Sequence, residues 1–227
     1  MKLSARLQAV FTMVPQGCRL ADVGADRGEL SYALLGKNRV EHIILTDISP
    51  YSLQRAKDLF AASPFLANTE FRVGSGFTVL TPQEVDCAVL AGMGGDTIVS
   101  ILREAAPITA DLATIIVQAM GKSHQVRRYF MENHFRIIEE AMVCEYGHFY
   151  TIIKAEPGEM TLSAKELYGG KHLIAAKHPL LKESLGREKK ELANILAALR
   201  QQGQGEKRQQ ELKERIAFIE EIEEDLV

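Results

Sequence analysis

Cysteine is scarce in this chain, and what there is lies scattered. Cys18, Cys87 and Cys144 are the only three in 227 residues, and they show no metal-ligand spacing. Neither a disulfide framework nor a metal site is expected. Together with the lack of a signal-peptide pattern, this reads as a protein of a reducing cytoplasm. No apolar run approaches the roughly 18 residues that a membrane span requires, so no membrane partner is expected. Positive charge is not in excess either. The formal net charge of -3 argues against a globally basic nucleic-acid binder. No internal repeat is visible.

What is present suits a folded domain. Hydrophobic residues make up 46% of the chain. The length fits one domain of roughly 150–200 residues with an appendage. The charge is also unevenly spread. Residues 165–190 hold seven Lys/Arg (Lys165, Lys171, Lys177, Lys182, Arg187, Lys189, Lys190) against three acids. The tail over residues 220–225 is acidic.

Periodicity predicts alternating strands and helices. Leu3, Leu7, Val10, Phe11 and Val14 have helical spacing. Strands are expected at residues 19–23, 42–45, 71–73, 85–90 and 114–118. The helices between them are expected at 29–36, from Ser49-Pro50 onward, and at about 96–104. Ser123 is read as the cap of a helix through Asn133. Residues 135–144 and 149–155 read as two strands joined by a turn. This alternation implies an α/β fold with a mostly parallel, Rossmann-like sheet and an antiparallel edge pair. Character changes at Glu156-Pro157-Gly158, giving expected domains 1–157 and 158–227. In the second, Leu185, Leu192 and Leu199, supported by Ile195 and Leu196, form one apolar stripe. Leu212, Ile216, Ile219, Ile222 and Leu226 form another. With a break at residues 201–205 they predict an antiparallel, coiled-coil-like helical hairpin. It is either a self-packed appendage or a grip on a substrate.

The chemistry gathers at strand ends. Asp22-Val23-Gly24-Ala25-Asp26-Arg27-Gly28 ends the first strand in a glycine turn, and Asp47 ends the second, 25 residues after Asp22. A carboxylate there can accept from both hydroxyls of a ribose. The middle position of the dinucleotide fingerprint holds Asp26 rather than glycine, and a pyrophosphate would be repelled. A ligand carrying sulfonium and ammonium groups suits these acids better, which favours S-adenosyl-L-methionine over NAD. Gly74-Ser75-Gly76-Phe77 is expected to border an adenine ring, with Ser75 on its amine and Phe77 as an apolar contact. An ordinary tight turn is the other reading. Ala91-Gly92-Met93-Gly94-Gly95 ends the fourth strand, where glycines let a flat substrate approach; a packing turn is the alternative. No Asn-Pro-Pro-type clamp stands there.

These motifs resemble the bacterial tRNA (adenine-22-N1)-methyltransferase family, class I S-adenosylmethionine-dependent enzymes. The resemblance runs through Leu3-Ser4-Ala5-Arg6-Leu7, residues 22–26, Ala91-Gly92-Met93-Gly94-Gly95, residues 139–150, Leu167-Tyr168-Gly169-Gly170 and Lys177-His178-Pro179-Leu180. It covers essentially the whole chain. It implies methyl transfer to N1 of an adenine in tRNA by a monomer with no metal. Three positions depart from the family pattern: Arg27 replaces His, Asp47 replaces Glu, and Gln118-Ala119-Met120 replaces Gln-Pro-Asn. Arg27 and Met120 mark this as a divergent member. A non-catalytic tRNA-binding module, and a methyltransferase for another nucleotide or a small molecule, are the alternatives.

Together the two readings give Asp26 as the catalytic residue, with a helix-capping turn residue as its alternative. Cofactor contacts are expected from Asp22, Gly24, Gly28, Asp47, Ile48, Ser75, Gly76, Ala91, Gly92 and Met93. Substrate contacts are expected from Arg27, Gly94, Gly95, Met120, Lys165, Lys171, Lys177 and Lys182. Lys122, Arg127 and Arg128 are read as extending the basic surface, although charged helix faces are usually just solvated. Tyr32, Phe77 and Met93 are candidate apolar contacts to an unstacked base.

Overall fold

The computed structural model describes residues 2–202 and 205–227. Its residues cluster into two compact units, Met1–Thr161 and Leu162–Val227.

The first unit is built on a seven-stranded sheet. In chain order the strands are β1 (Cys18–Val23), β2 (Val40–Asp47), β3 (Thr69–Val73), β4 (Cys87–Met93), β5 (Thr114–Ala119), β6 (Phe135–Glu145) and β7 (His148–Pro157). In space the order is β3-β2-β1-β4-β5-β7-β6. β1 pairs in parallel with both β2 and β4, and only β7 is reversed, running antiparallel to both its neighbours, β5 and β6. The order reverses at β1, so a crevice opens beyond the carboxyl ends of β1 and β4. All six residues of β5 are buried, as a strand covered on both faces requires.

The crossover helices follow local chemistry. α1 (Ala5–Met13) starts at Ser4, whose side chain accepts from the Leu7 N–H. α2 spans Glu29–Gly36. α3 (Pro50–Phe60) has Ser49 as N-cap and Pro50 in its first turn, an unstrained start. These three helices cover one face. Val10, Leu34, Leu53, Ala56 and Phe60 pack there on Leu20, Ile43 and Leu45. Tyr32 belongs to the edge of this cluster. Its ring meets Phe60 and Phe65 edge-on at 5.3 and 5.6 Å, so it is packing rather than a base contact.

α4 (Gly95–Glu104) and a short α5 (Ala106–Asp111) precede β5. α6 (Ser123–Glu132) is preceded by Lys122 in a left-handed conformation, so Lys122 and not Ser123 is the N-cap. Arg127 is not on the surface. Its side chain is 1% exposed and its Nε lies 2.6 Å from Glu140 Oε1, itself 0% exposed. The helical period places Arg127 on the inner face of α6 with Val126 and Phe130. There a charge is tolerable only with a partner.

The second unit holds α7 (Ala164–Gly169), α8 (Lys171–Ala175), α9 (Pro179–Gln201) and α10 (Glu206–Asp225). Ser163 and Glu166 close a reciprocal capping box on α7. α9 and α10 pack antiparallel, with Gly186 near Glu223 and Leu199 near Gly205. Leu181, Leu185, Leu192 and Leu196 face Leu212, Ile219 and Ile222 as the buried seam, whereas Ile195 is exposed. Of the break expected at 201–205, residues 203 and 204 lie outside the described residues.

The buried pair gives the first prediction. Glu140→Ala leaves the Arg127 guanidinium buried without its carboxylate and lowers stability by about 3–5 kcal/mol. The double variant Arg127→Met/Glu140→Leu recovers most of that loss. Urea denaturation of the three proteins checks both statements.

Candidate active site

The site begins where β1 stops. After Val23 the chain turns left-handed at Gly24 (φ 68°), and the Gly24 and Ala25 N–H groups donate to Thr46 O at 2.8 and 3.1 Å. The turn is thereby sewn to the end of β2. Asp26 is again left-handed (φ 47°), an uncommon state for a residue with a side chain. It is held there because its N–H donates to Asp47 Oδ2 at 3.1 Å. Gly28 has φ 70°, and a Cβ there would lie 2.9 Å from Leu45 Cδ2 and 3.2 Å from Ala56 Cβ. Only glycine lets α2 start this close to β2 and α3. The other Asp47 oxygen accepts from the Ser49 N–H at 2.8 Å. One carboxylate therefore fixes both the glycine turn and the entry to α3.

Two chambers flank Gly24. One, of about 250 Å³, is lined by Arg6, Asp22, Asp26, Arg27, Ala91 and Gly92 among others. The other, of about 340 Å³, is lined by Asp47, Ile48, Gly74, Ser75, Gly76 and Met93 among others. A Cβ on Gly24 would overlap Met93 Cε, so the Met93 side chain lies across the glycine between the two spaces.

Charge in the first chamber is mixed and ordered by depth. Asp22 is buried, and Ser31 Oγ donates to its Oδ2 at 2.5 Å. Burial pushes its pKa up to about 6 against that hydrogen bond, and the charge of Asp47 adds to the rise. Asp26 is more open, with Arg55 Nη1 at 3.7 Å and Arg27 Nε at 3.9 Å. Arg27 also meets Glu29 at 3.1 Å.

The expected site residues divide between these spaces. Asp22, Gly24, Asp26, Arg27, Ala91 and Gly92 line the first chamber, and Asp47, Ile48, Ser75, Gly76 and Met93 the second. Gly28 lines neither and is the packing glycine of the turn. Gly94 faces open space, while a Cβ on Gly95 would overlap the Lys122 carbonyl oxygen. Gly95 is thus a close-packing position where α4 meets the chain after β5. Met120 is half-exposed at the end of β5, and its N–H donates to Met93 O at 2.8 Å. Phe77 is fully buried in the core and touches neither chamber, which corrects its expected contact with an adenine. Lys122 pairs with Asp96.

In the second unit, Lys165 meets Asp225 at 3.0 Å, and Lys177 donates to the Val227 backbone oxygen. Lys171 and Lys182 are exposed and carry no ion pair among the described residues.

Two residues not expected as site contacts stand at the first chamber, Arg6 in its wall and Gln118 behind that wall. Arg6, on α1, donates from Nη1 to Gln118 Oε1 at 2.6 Å and lies over the Tyr150 ring at 5.8 Å. Gln118, at the end of β5, also accepts from the Gly92 N–H at 3.0 Å. Nothing local marks Arg6, whose partner is 112 residues away. A polar residue closing the wholly buried strand β5 was the available signal for Gln118.

The raised pKa of Asp22 fixes a pH dependence. The folded value of about 6 exceeds the ordinary 3.8, so folding favours the protonated acid. That stabilisation is full below about pH 4 and is lost as pH rises through 6, a change of roughly 3 kcal/mol. Asp22→Asn is expected to lack this component, and to exceed the unsubstituted protein in stability by up to that amount at pH 8. Urea denaturation at pH 5 and pH 8 compares the two.

A family model described as a methyltransferase domain matches residues 3–153. A Bacillus subtilis (strain 168) tRNA (adenine(22)-N(1))-methyltransferase is 28% identical over 222 residues, covering 94% of this chain and 92% of that protein. The solved B. subtilis M1A22 tRNA methyltransferase TrmK superposes with a TM-score of 0.89 at 26% identity, over 97% of this chain and 98% of that one. Streptococcus pneumoniae Sp1610, solved in complex with S-adenosyl-L-methionine, superposes with a TM-score of 0.90 at 26% identity, over 97% and 99%. The match takes in the glycine turn, Asp47 and both chambers, and on that ground the chain belongs to the methyltransferase-domain family.

Proposed function

We propose that the protein transfers the methyl group of S-adenosyl-L-methionine to N1 of an adenine in tRNA. The observation that carries this reading is the acidic, divided cleft of a methyltransferase domain in a chain similar along its whole length to a tRNA (adenine(22)-N(1))-methyltransferase.

The residues fit that cofactor. Asp22 is a buried carboxylate with no cation paired to it among the described residues, and Asp26 and Asp47 stand close by. Such a cleft attracts an ammonium and a sulfonium and repels a pyrophosphate. Asp47 keeps lone pairs for ribose hydroxyls after its two backbone bonds. Ile48, Ser75 and Gly76 would border the adenine, and Asp22 and the Gly24 turn the amino end. Arg6 has no carboxylate partner among the described residues and would take the cofactor's carboxylate. When bound, the cofactor supplies an electrophilic methyl group.

The protein's share is mainly alignment. Adenine N1 has a free lone pair at neutral pH, so no strong base is needed to begin. Asp26, on the strained turn between the chambers, would stabilise the positive charge that the methylated base acquires. Arg27 and Arg55 at its sides hold that carboxylate at the rim. The base must leave its stack to enter. We assign cofactor binding to residues 1–157 and tRNA holding to 158–227, in a cytoplasmic monomer. Lys171 and Lys182, exposed like Lys190, would meet phosphates; Lys165 and Lys177 are engaged within their own unit.

Purified protein with labelled S-adenosylmethionine and bacterial tRNA is expected to place label in 1-methyladenosine. Label in another nucleoside, or none, would overturn the reading. Asp26→Ala is expected to keep cofactor affinity while kcat falls about 10²–10³-fold; normal turnover removes Asp26 from the mechanism. Lys171→Ala/Lys182→Ala/Lys190→Ala is expected to weaken tRNA binding and flatten its logarithmic salt dependence by about 2–3 units. Cofactor affinity, measured by calorimetry, stays unchanged.

A further inference from the structure

Behind the wall of the first chamber lies a hydrogen-bond donor with nothing to donate to. The Gln118 side chain is fully buried, and its Nε2 is the one buried side-chain nitrogen or oxygen without a partner among the described residues. Its orientation is fixed. Oε1 accepts from Arg6 Nη1 and from the Gly92 N–H, so a flipped amide would set N–H groups against two donors. A fold that satisfies its other buried polar side chains and leaves this one open points to an acceptor supplied from outside.

The two groups that donate to Gln118 are also walls of the chamber: Arg6 and Gly92 both line it. Arg6 is held by a neutral amide and a ring face, with no carboxylate among the described residues. An anion entering the chamber outcompetes Gln118 for that guanidinium, because charge-assisted hydrogen bonds are the stronger ones. When Arg6 turns away, Oε1 regains one lone pair while Gly92 keeps the other, and Nε2 is uncovered. The amide then presents an acceptor and a donor side by side. That pair matches adenine's N6 amine and N7. It leaves N1 uncovered. Guanine would set its O6 against Oε1, two acceptors facing each other.

We propose that Gln118 reads the target adenine through its N6/N7 edge, with Arg6 as the cover that an anion draws aside. This rests on the adenine-N1 reading above. The test uses RNA in which the adenosine methylated by the unsubstituted protein is replaced by 7-deazaadenosine, which keeps N1 and the amine and lacks N7. The expected result is a fall in kcat/KM of about 10- to 100-fold and weaker RNA binding, with unchanged cofactor affinity. In Gln118→Ala the ratio between the two RNAs is expected to shrink to about one. Equal kcat/KM for both RNAs with the unsubstituted protein overturns the proposal, as does a ratio preserved in Gln118→Ala. If the unsubstituted protein labels no adenine at all, the N1 reading falls and this one falls with it. Label in adenine without discrimination sinks the base-reading role alone. The 7-deaza comparison needs no variant, so a misfolded Gln118→Ala leaves the test intact.

Discussion

The carboxylate of Asp47 holds the site together. One oxygen accepts from Asp26 N–H and the other from Ser49 N–H. The first bond keeps a non-glycine residue left-handed in a turn that would otherwise relax. The second begins α3 directly after β2. Because β1 and β2 are parallel neighbours, one side chain couples the ends of both strands to the helices that follow them. Removing it would free the turn and the α3 entry together. The position of Asp26, and with it the shape of both chambers, depends on that bridge.

The parts legible in the sequence were those whose cause is local. The glycine turn, Asp47 at a strand end, the Ser49-Pro50 start and the alternation of strands and helices are each written within a few residues. The sheet's switch point follows from that alternation. What escaped depends on partners distant in sequence. Arg127 is of a residue type usual at the surface, and it is the carboxylate of Glu140 on β6 that makes burial of its charge tolerable. Arg6 and Gln118 meet across 112 positions. Phe77 follows a glycine turn at the cleft, yet it turns into the core. Helices of five or six residues, such as α5, α7 and α8, carry too few periods to be seen.

Charge in the cleft is graded with depth. The deepest acid, Asp22, is the one most penalised by burial. A cation at that depth relieves the penalty, so burial of Asp22 acts as affinity held for a positively charged group. The rim is different. Asp26 already has Arg27 and Arg55 within 4 Å, and adding a cation there gains less. The gradient thus favours a ligand that sends its positive end inward. It disfavours a polyanion lying along the turn, independently of any likeness to other proteins.

In the second unit the same reasoning narrows a broad basic segment to a few residues. Seven cations in residues 165–190 look like a continuous phosphate-binding face. Within the fold, Lys165 is tied to Asp225, Arg187 to Glu183, and Lys189 to Glu220 and Glu223. The acidic end of α10 therefore neutralises part of the basic segment. These pairs are largely exposed and individually weak. Together they still lower the local field that a polyanion meets. Lys171, Lys182 and Lys190 have no such partner among the described residues, so the segment presents separate cations rather than a uniform basic face.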